Sequence, residues 1–143
     1  MRLNIFIMDN QDLVKISEEF GSPVYVYDAE KIIFQYNRLK NAFGKIEDLR
    51  INYAVKALSN ISVLKLMKSL GAGLDTVSYQ EVMLGLEAGY DSSEILYTPN
   101  GVSLEEIEEI AEMGVQINID NLSILEQFGT KHPEVPVCIR INP

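Results

Sequence analysis

Runs with β-strand character begin near Arg50, Leu74, Ile95, Val115 and Val135, so that one recurs every 20 to 24 residues, and a helical stretch with a polar face separates each from the next. Strand, helix and strand repeated at a nearly constant period is the pattern of βαβ units in a parallel sheet, and it sets the class as α/β. The joints carry capping chemistry. Ser78-Tyr79-Gln80-Glu81 and Ser103-Leu104-Glu105-Glu106 both read as Ser-x-x-Glu capping boxes, and Gly71, Gly89, Gly114 and Gly129 stand where helices would close. Upstream, Asp12 to Phe20 places apolar residues at Leu13, Val14, Ile16 and Phe20 and is stopped by Gly21-Ser22-Pro23, which predicts a short helix. An extended lead-in strand is expected over Val24-Tyr25-Val26-Tyr27. Asp28 follows as an N-cap, and Ile32, Ile33, Tyr36, Leu39 and Phe43 form one apolar stripe of a second helix ending at Gly44.

Parallel sheets of this kind either stay open and doubly wound or close into an eight-stranded barrel. Length alone favours the open form, since a barrel takes about 250 residues and this chain has 143. The last residues, Arg140-Ile141-Asn142-Pro143, follow a strand with no covering helix, so the chain reads as cut off. With 47% hydrophobic and 23% charged residues, it can bury a core without metals or disulfides, and no internal domain boundary suggests itself. One cysteine, Cys138, and one histidine exclude a disulfide framework and a Cys/His zinc site; no metal is expected, and a cytoplasmic setting fits. A net charge of -9 disfavours nucleic-acid binding. No apolar run reaches the roughly 20 residues of a membrane span, so no membrane association is expected.

Ligands in both architectures sit beyond the carboxyl ends of the strands, and the polar residues there are consistent in placement. Lys56 ends Ile51-Asn52-Tyr53-Ala54-Val55, Asp75 lies in Leu74-Asp75-Thr76-Val77, Asn100-Gly101 follow the third strand, Asn118 and Asp120 close the fourth, and Arg140 with Asn142 closes the fifth. An amine at the end of an apolar strand, if buried there, would be disposed to attack an aldehyde; alternatively it snorkels to solvent. Asp75 is a carboxylate within an apolar strand, needing either a cationic partner or a structural hydrogen bond. Arg140 either clamps an anionic or phenolic oxygen or pairs with a helix carboxylate. Ser78 and Glu81 are better explained as a cap than as catalysts. His132 is expected in an exposed loop, Cys138 as a buried and unreactive strand residue, and Glu105, Glu106, Glu108, Glu109 and Glu112 as a solvated helix face. Gly71-Ala72-Gly73 precedes a strand, which is the wrong context for a dinucleotide fingerprint.

Five segments occur in order: Gly21-Ser22-Pro23-Val24-Tyr25-Val26-Tyr27-Asp28, Tyr53-Ala54-Val55-Lys56-Ala57, Gly71-Ala72-Gly73-Leu74-Asp75-Thr76-Val77-Ser78, Thr98-Pro99-Asn100-Gly101 and Ile139-Arg140-Ile141-Asn142-Pro143. Together they resemble the N-terminal part of the diaminopimelate decarboxylases, pyridoxal-phosphate enzymes of the alanine-racemase-like barrel class. Leu58 and Tyr79-Gln80 depart from the pattern common in that family. The resemblance implies that residues 1–143 are the N-terminal part of a pyridoxal-phosphate-binding (β/α)8 TIM-type barrel. About five barrel strands are expected, with 1–27 forming a helix and lead-in strand; the rest of the barrel and a C-terminal β domain are absent. It further implies a homodimer that decarboxylates meso-diaminopimelate to L-lysine. Lys56 would hold the cofactor as a Schiff base, with Asp75 close to that lysine and Arg140 near the cofactor. The ring-stacking histidine, the glycine-rich phosphate cradle, the acidic partner of the pyridine nitrogen and the residues holding the substrate's distal end would lie beyond residue 143, and the isolated chain is expected to be inactive. A related barrel decarboxylase, a non-catalytic pyridoxal-phosphate carrier and a small open-sheet interaction domain are the alternatives.

Overall fold

The structure, a computed structural model, describes residues 8–141, so Asn142 and Pro143 of the terminal motif lie outside the described residues. The chain divides into two units, 1–49 and 50–143.

The first unit holds α1 (Asn10–Phe20) and α2 (Ala29–Ala42). Helix α1 starts two residues earlier than its apolar pattern predicts. The Asp9 side chain accepts from the backbone N–H groups of Gln11 and Asp12 at 2.8 and 2.9 Å, and the Asp12 carboxylate reaches back to the N–H of Asp9. A reciprocal cap of this kind sets a helix start more firmly than the first apolar residue does. Asp28 caps α2 as expected, accepting from the N–H of Lys31 at 3.0 Å. The run 24–27 joins no strand ladder. Val24, Tyr25, Val26 and Tyr27 are all exposed, and β-branched and aromatic residues favour a strand only where a neighbouring strand gives them something to pack against.

The second unit is the repeating one. It runs β1 (Asn52–Ala54), a 3-10 turn (Val55–Ala57), α3 (Ile61–Ser69), β2 (Gly73–Thr76), α4 (Tyr79–Glu87), a second 3-10 turn (Ser92–Glu94), β3 (Ile95–Tyr97), α5 (Leu104–Glu112), β4 (Gln116–Ile119), α6 (Leu122–Lys131) and β5 (Val137–Ile139). The five strands are parallel and ordered β1-β2-β3-β4-β5. That order decides between the two architectures left open above. A doubly wound sheet reverses its strand order at a switch point, sending helices to both faces. Here every strand is added beside its predecessor in one direction, and right-handed crossovers then place successive helices on the same face, the winding of a (β/α) barrel.

The buried side chains agree. Tyr53 lies in register with Leu74 and Leu74 with Ile95, while Tyr97 aligns with Ile117 and Ile117 with Val137. Every buried apolar strand residue (Leu74, Ile95, Tyr97, Ile117 and Ile119) has this parity, and it packs with Leu64, Val82, Ile107, Ile110 and Phe128 of the helices. Each such side chain contributes about 1.5–3 kcal/mol by leaving water. The opposite parity carries Ala54, Asp75, Leu96, Gln116, Asn118 and Cys138, a mixed polar face. Cys138 is exposed, contrary to expectation, because it has this second parity on an edge strand.

Gly71 and Gly89 close α3 and α4 with φ of +85° and +94°, a region that a side chain would strain. Gly129 differs: it lies inside α6, which continues to Lys131 and ends at His132, whose N–H donates to the Phe128 carbonyl. Gly73 serves packing, since a Cβ there would stand 2.9 Å from the backbone oxygen of Glu94 and 2.3 Å from Asn52 Oδ1.

The glutamates of α5 are less idle than a solvated face would be. Glu106 accepts from the buried Tyr97 hydroxyl, and burial together with that carboxylate pushes the Tyr97 phenol well above its usual range. Glu108 holds Lys131 at 3.0 Å and His132 Nε2 at 3.0 Å, while the His132 ring lies 4.9 Å from that of Phe128. His132 is therefore half-buried in an interhelix clamp. Hydrogen bonds from Lys131 and His132 keep the Glu108 carboxyl below its ordinary value of 4.5. A carboxyl depressed on folding stabilises the fold above its unfolded value and loses that contribution as pH falls through the folded one. Wild-type protein should consequently lose melting temperature in the range below 4.5, and Glu108→Gln should flatten that part of the profile. Identical thermal-melting profiles for the two proteins would remove the clamp from consideration.

Candidate active site

The carboxyl ends of the strands gather the polar residues singled out above. β1 is too short to carry Lys56 itself; the lysine sits in the 3-10 turn Val55–Ala57 immediately after it. Val55 is fully buried and anchors that turn, whereas Lys56 is exposed. Of the two placements open to its amine, exposure to solvent is the one observed. The cause is local: the strand's last core contact is at Val55, and the turn carries the next residue past the edge of the packed layer. Among the described residues, Lys56 makes no hydrogen bond or ion pair.

Asp75 is the second residue on which the sequence focuses. Ala54 and Asp75 are register partners, so Asp75 lies on the strand next to the one that leads into Lys56, at the same end of the sheet. Its carboxylate is half-buried, and its partner is a hydroxyl: Thr98 Oγ1 donates to Asp75 Oδ1 at 2.7 Å. Asn118 Nδ2 donates in turn to Thr98 Oγ1 at 2.9 Å. Three strands are therefore tied by one polar chain along the face opposite the helices. The backbone frames it, with the Thr98 N–H donating to the Thr76 carbonyl at 2.8 Å. Of these residues the sequence pointed to Asp75 and Asn118 and passed over Thr98. Its parity, two places beyond Leu96 on the same face, was the available signal.

Arg140 stands at the other side. It follows β5, its N–H donates to the Ile119 carbonyl at 2.9 Å, and its side chain is exposed. Four strand spacings separate β1 from β5, roughly 19 Å across a flat sheet, so Lys56 and Arg140 occupy opposite edges and approach one ligand only as the sheet curls. Arg140 lines a hollow of about 290 Å³ with Ile119, Asp120, Leu125 and Ile141. A second, of about 230 Å³, opens between Pro99, Val102, Asn118, Asp120 and Ser123. Both lie at the strand ends, where this winding places ligand sites.

Ser78 behaves as a cap. Its hydroxyl accepts from the N–H of Glu81 at 3.3 Å, but the Glu81 carboxylate takes the N–H of Val77 at 2.8 Å. Ser103 likewise caps α5 while Glu106 is diverted to Tyr97, so each capping box is half formed. Among the described residues no group of three or more His, Cys, Asp or Glu side chains could hold a metal, and no helix is long and apolar enough to cross a membrane.

Residues 29–143 match the family described as pyridoxal-dependent decarboxylase, pyridoxal binding domain. Diaminopimelate decarboxylase of Methanothermobacter thermautotrophicus is 36% identical over 139 residues, covering 96% of this chain and 32% of that protein. The Escherichia coli K12 diaminopimelate decarboxylase is 34% identical over 137 residues, with 93% and 31% covered. Among solved structures, diaminopimelate decarboxylase of M. jannaschii in complex with L-lysine superposes with a TM-score of 0.81 at 31% identity, over 92% of this chain and 33% of that one. The lysine/ornithine decarboxylase of Vibrio vulnificus, complexed with putrescine, gives 0.81 at 25% identity, over 94% and 38%. The chain spans about a third of the length of the curated relatives it matches.

Proposed function

This chain belongs to the pyridoxal-dependent decarboxylase family, as its pyridoxal-binding domain, and from that premise we propose that it carries the cofactor-holding half-site of a diaminopimelate decarboxylase, with Lys56 as the amine that takes the cofactor. The observation that carries the reading is the position of Lys56: an accessible primary amine, free of protein partners among the described residues, at the carboxyl end of the first strand of a barrel-wound sheet.

The residues present suit pyridoxal phosphate. When bound, this cofactor supplies an aldehyde that can hold an amine and a ring that takes up electron density as a carboxylate departs. Lys56 offers Nζ to such an aldehyde. Asp75, one strand away, presents a carboxylate anchored through a single oxygen, and it would hold a cation near that amine. Arg140, on the far edge, would meet an anionic or phenolic oxygen. The polar face between them, from Asp75 through Thr98 to Asn118, suits a ligand with several hydrogen-bonding atoms better than an apolar one.

Residues 1–143 serve on this reading as the N-terminal part of the cofactor-binding barrel. The reaction proposed for the whole protein is decarboxylation of meso-diaminopimelate to L-lysine. It is favoured over a smaller diamino acid by the 31% identity of the superposed diaminopimelate decarboxylase against 25% for the superposed lysine/ornithine enzyme. A homodimer and a cytoplasmic setting belong to the same proposal. Incubating the chain with pyridoxal phosphate, reducing with borohydride and mapping the peptides tests it: the cofactor should be fixed predominantly on Lys56. Label scattered over the surface lysines would overturn the assignment of Lys56.

A further inference from the structure

The hydrogen bonds at the strand ends have a direction, and that direction has a use. Asn118 Nδ2 can only donate, so the Thr98 oxygen it contacts at 2.9 Å must accept there, and the single hydroxyl proton of Thr98 is left to point at Asp75 Oδ1, 2.7 Å away. The opposite orientation of the Asn118 amide would draw that proton toward Asn118 and leave two oxygens facing each other at the Asp75 contact. Only one arrangement satisfies all three groups. Thr98 itself is buried, 8% exposed, so solvent does not compete for its hydroxyl, and linked bonds in such a setting polarise one another. Asp75 Oδ2, by contrast, receives no hydrogen bond among the described residues. The carboxylate is thereby fixed at one oxygen and left open at the other.

We propose that Thr98 and Asn118 are positioning residues that act through Asp75: amide, hydroxyl and carboxylate form a relay across three adjacent strands that sets the Asp75 carboxylate so that its second oxygen serves the cationic nitrogen of the lysine that holds the cofactor. This rests on the functional reading above. It assigns a role to two side chains that act through their hydrogen bonds to Asp75 and to each other. The placement explains why a threonine directly follows β3: its backbone N–H donates to the Thr76 carbonyl while its side chain reaches sideways to both neighbouring strands.

The test measures the rate of borohydride-dependent fixation of pyridoxal phosphate on Lys56 in the full chain, together with the side-chain amide signal of Asn118 in nitrogen-15 NMR spectra of the cofactor-free protein. Thr98→Val keeps the shape and removes the relay, and it should slow fixation about tenfold, the scale of a lost hydrogen bond to a charged group. Thr98→Ser should restore it to within about twofold. Asn118→Ala, which leaves Thr98 and Asp75 in place, should cost about threefold. In an Asp75→Ala background, Thr98→Val should add nothing, because the residue it works through is gone. The Asn118 amide signal should move in Thr98→Val and stay in Thr98→Ser. Fixation on Lys56 that is unchanged in Thr98→Val, or a Thr98→Val loss that adds fully to that of Asp75→Ala, overturns the relay while the functional reading stands. Failure of the unsubstituted chain to fix cofactor on Lys56 overturns both, and the NMR signal then reports a hydrogen-bond chain with only a structural role.

Discussion

Lys56→Arg is expected to reduce cofactor fixation at position 56 to nothing, leaving only the label that any exposed lysine acquires. The substitution keeps the positive charge and most of the side-chain length, so an electrostatic role for Lys56 would survive it. What it removes is the lone pair: a guanidinium cannot be deprotonated in a protein, and without a free amine no bond to an aldehyde carbon forms. The fold offers no reason for a structural loss. Lys56 is exposed, lies in a turn anchored by the neighbouring Val55, and has no hydrogen bond or ion pair among the described residues. Melting temperatures of the two proteins should therefore agree while the mass-spectrometric adduct disappears. An adduct that moves intact to Lys65 or Lys68 would show that the turn has no special standing. Persistence of the peptide's affinity for the cofactor without covalent fixation would be compatible with the polar face binding it.

The second large effect is thermodynamic. Phe128→Ala should destabilise the second unit by about 3–5 kcal/mol, the usual cost of removing a buried aromatic side chain and leaving its volume unfilled. Phe128 is 1% exposed and is the one fully buried residue of α6; Ile124 and Leu125 reach the core only in part. Its ring also carries the His132 imidazole that Glu108 holds, so truncation loosens the clamp as well as the packing. In a chain of this size the melting temperature should drop by about 10 °C or more. Urea denaturation gives the check: a midpoint that shifts with an unchanged slope is the expected result. A loss below about 1 kcal/mol would mean that α6 is not docked through this residue. Since α6 connects β4 to β5, the strand bearing Arg140, its loosening should reach the far edge of the sheet and leave the Lys56 turn untouched.

The architecture was largely legible from periodicity. Strand starts read near Leu74, Ile95 and Val115 are found at Gly73, Ile95 and Gln116, and the outer two fall two residues late, at Asn52 and Val137. The sequence pattern counts apolar runs, whereas a ladder begins only where a neighbour is in register, which trims strands at a sheet edge. Barrel winding was not legible from the period, because open and closed sheets share it; the strand order decides it. At the site, residue type and position along the strand pointed to Lys56, Asp75 and Arg140, but whether the lysine is buried was not legible, since the packed layer ends one residue earlier, at Val55. The Thr98 relay depends on lateral register between strands, information that a linear sequence carries only as parity. His132 was misplaced for a similar reason: a loop composition says nothing of a carboxylate 24 positions earlier on a packed helix.

In the ladder, Tyr53 meets Leu74, Leu74 meets Ile95 and Ile117 meets Val137, so each pairing joins residues about twenty apart. Loops of that length close at modest entropic cost, and each of β2 to β5 finds its partner one repeat earlier. A polypeptide wound this way can lay down its sheet vectorially as it leaves the ribosome, each new helix sealing the strand before it, with a growing edge that is always the most recently made.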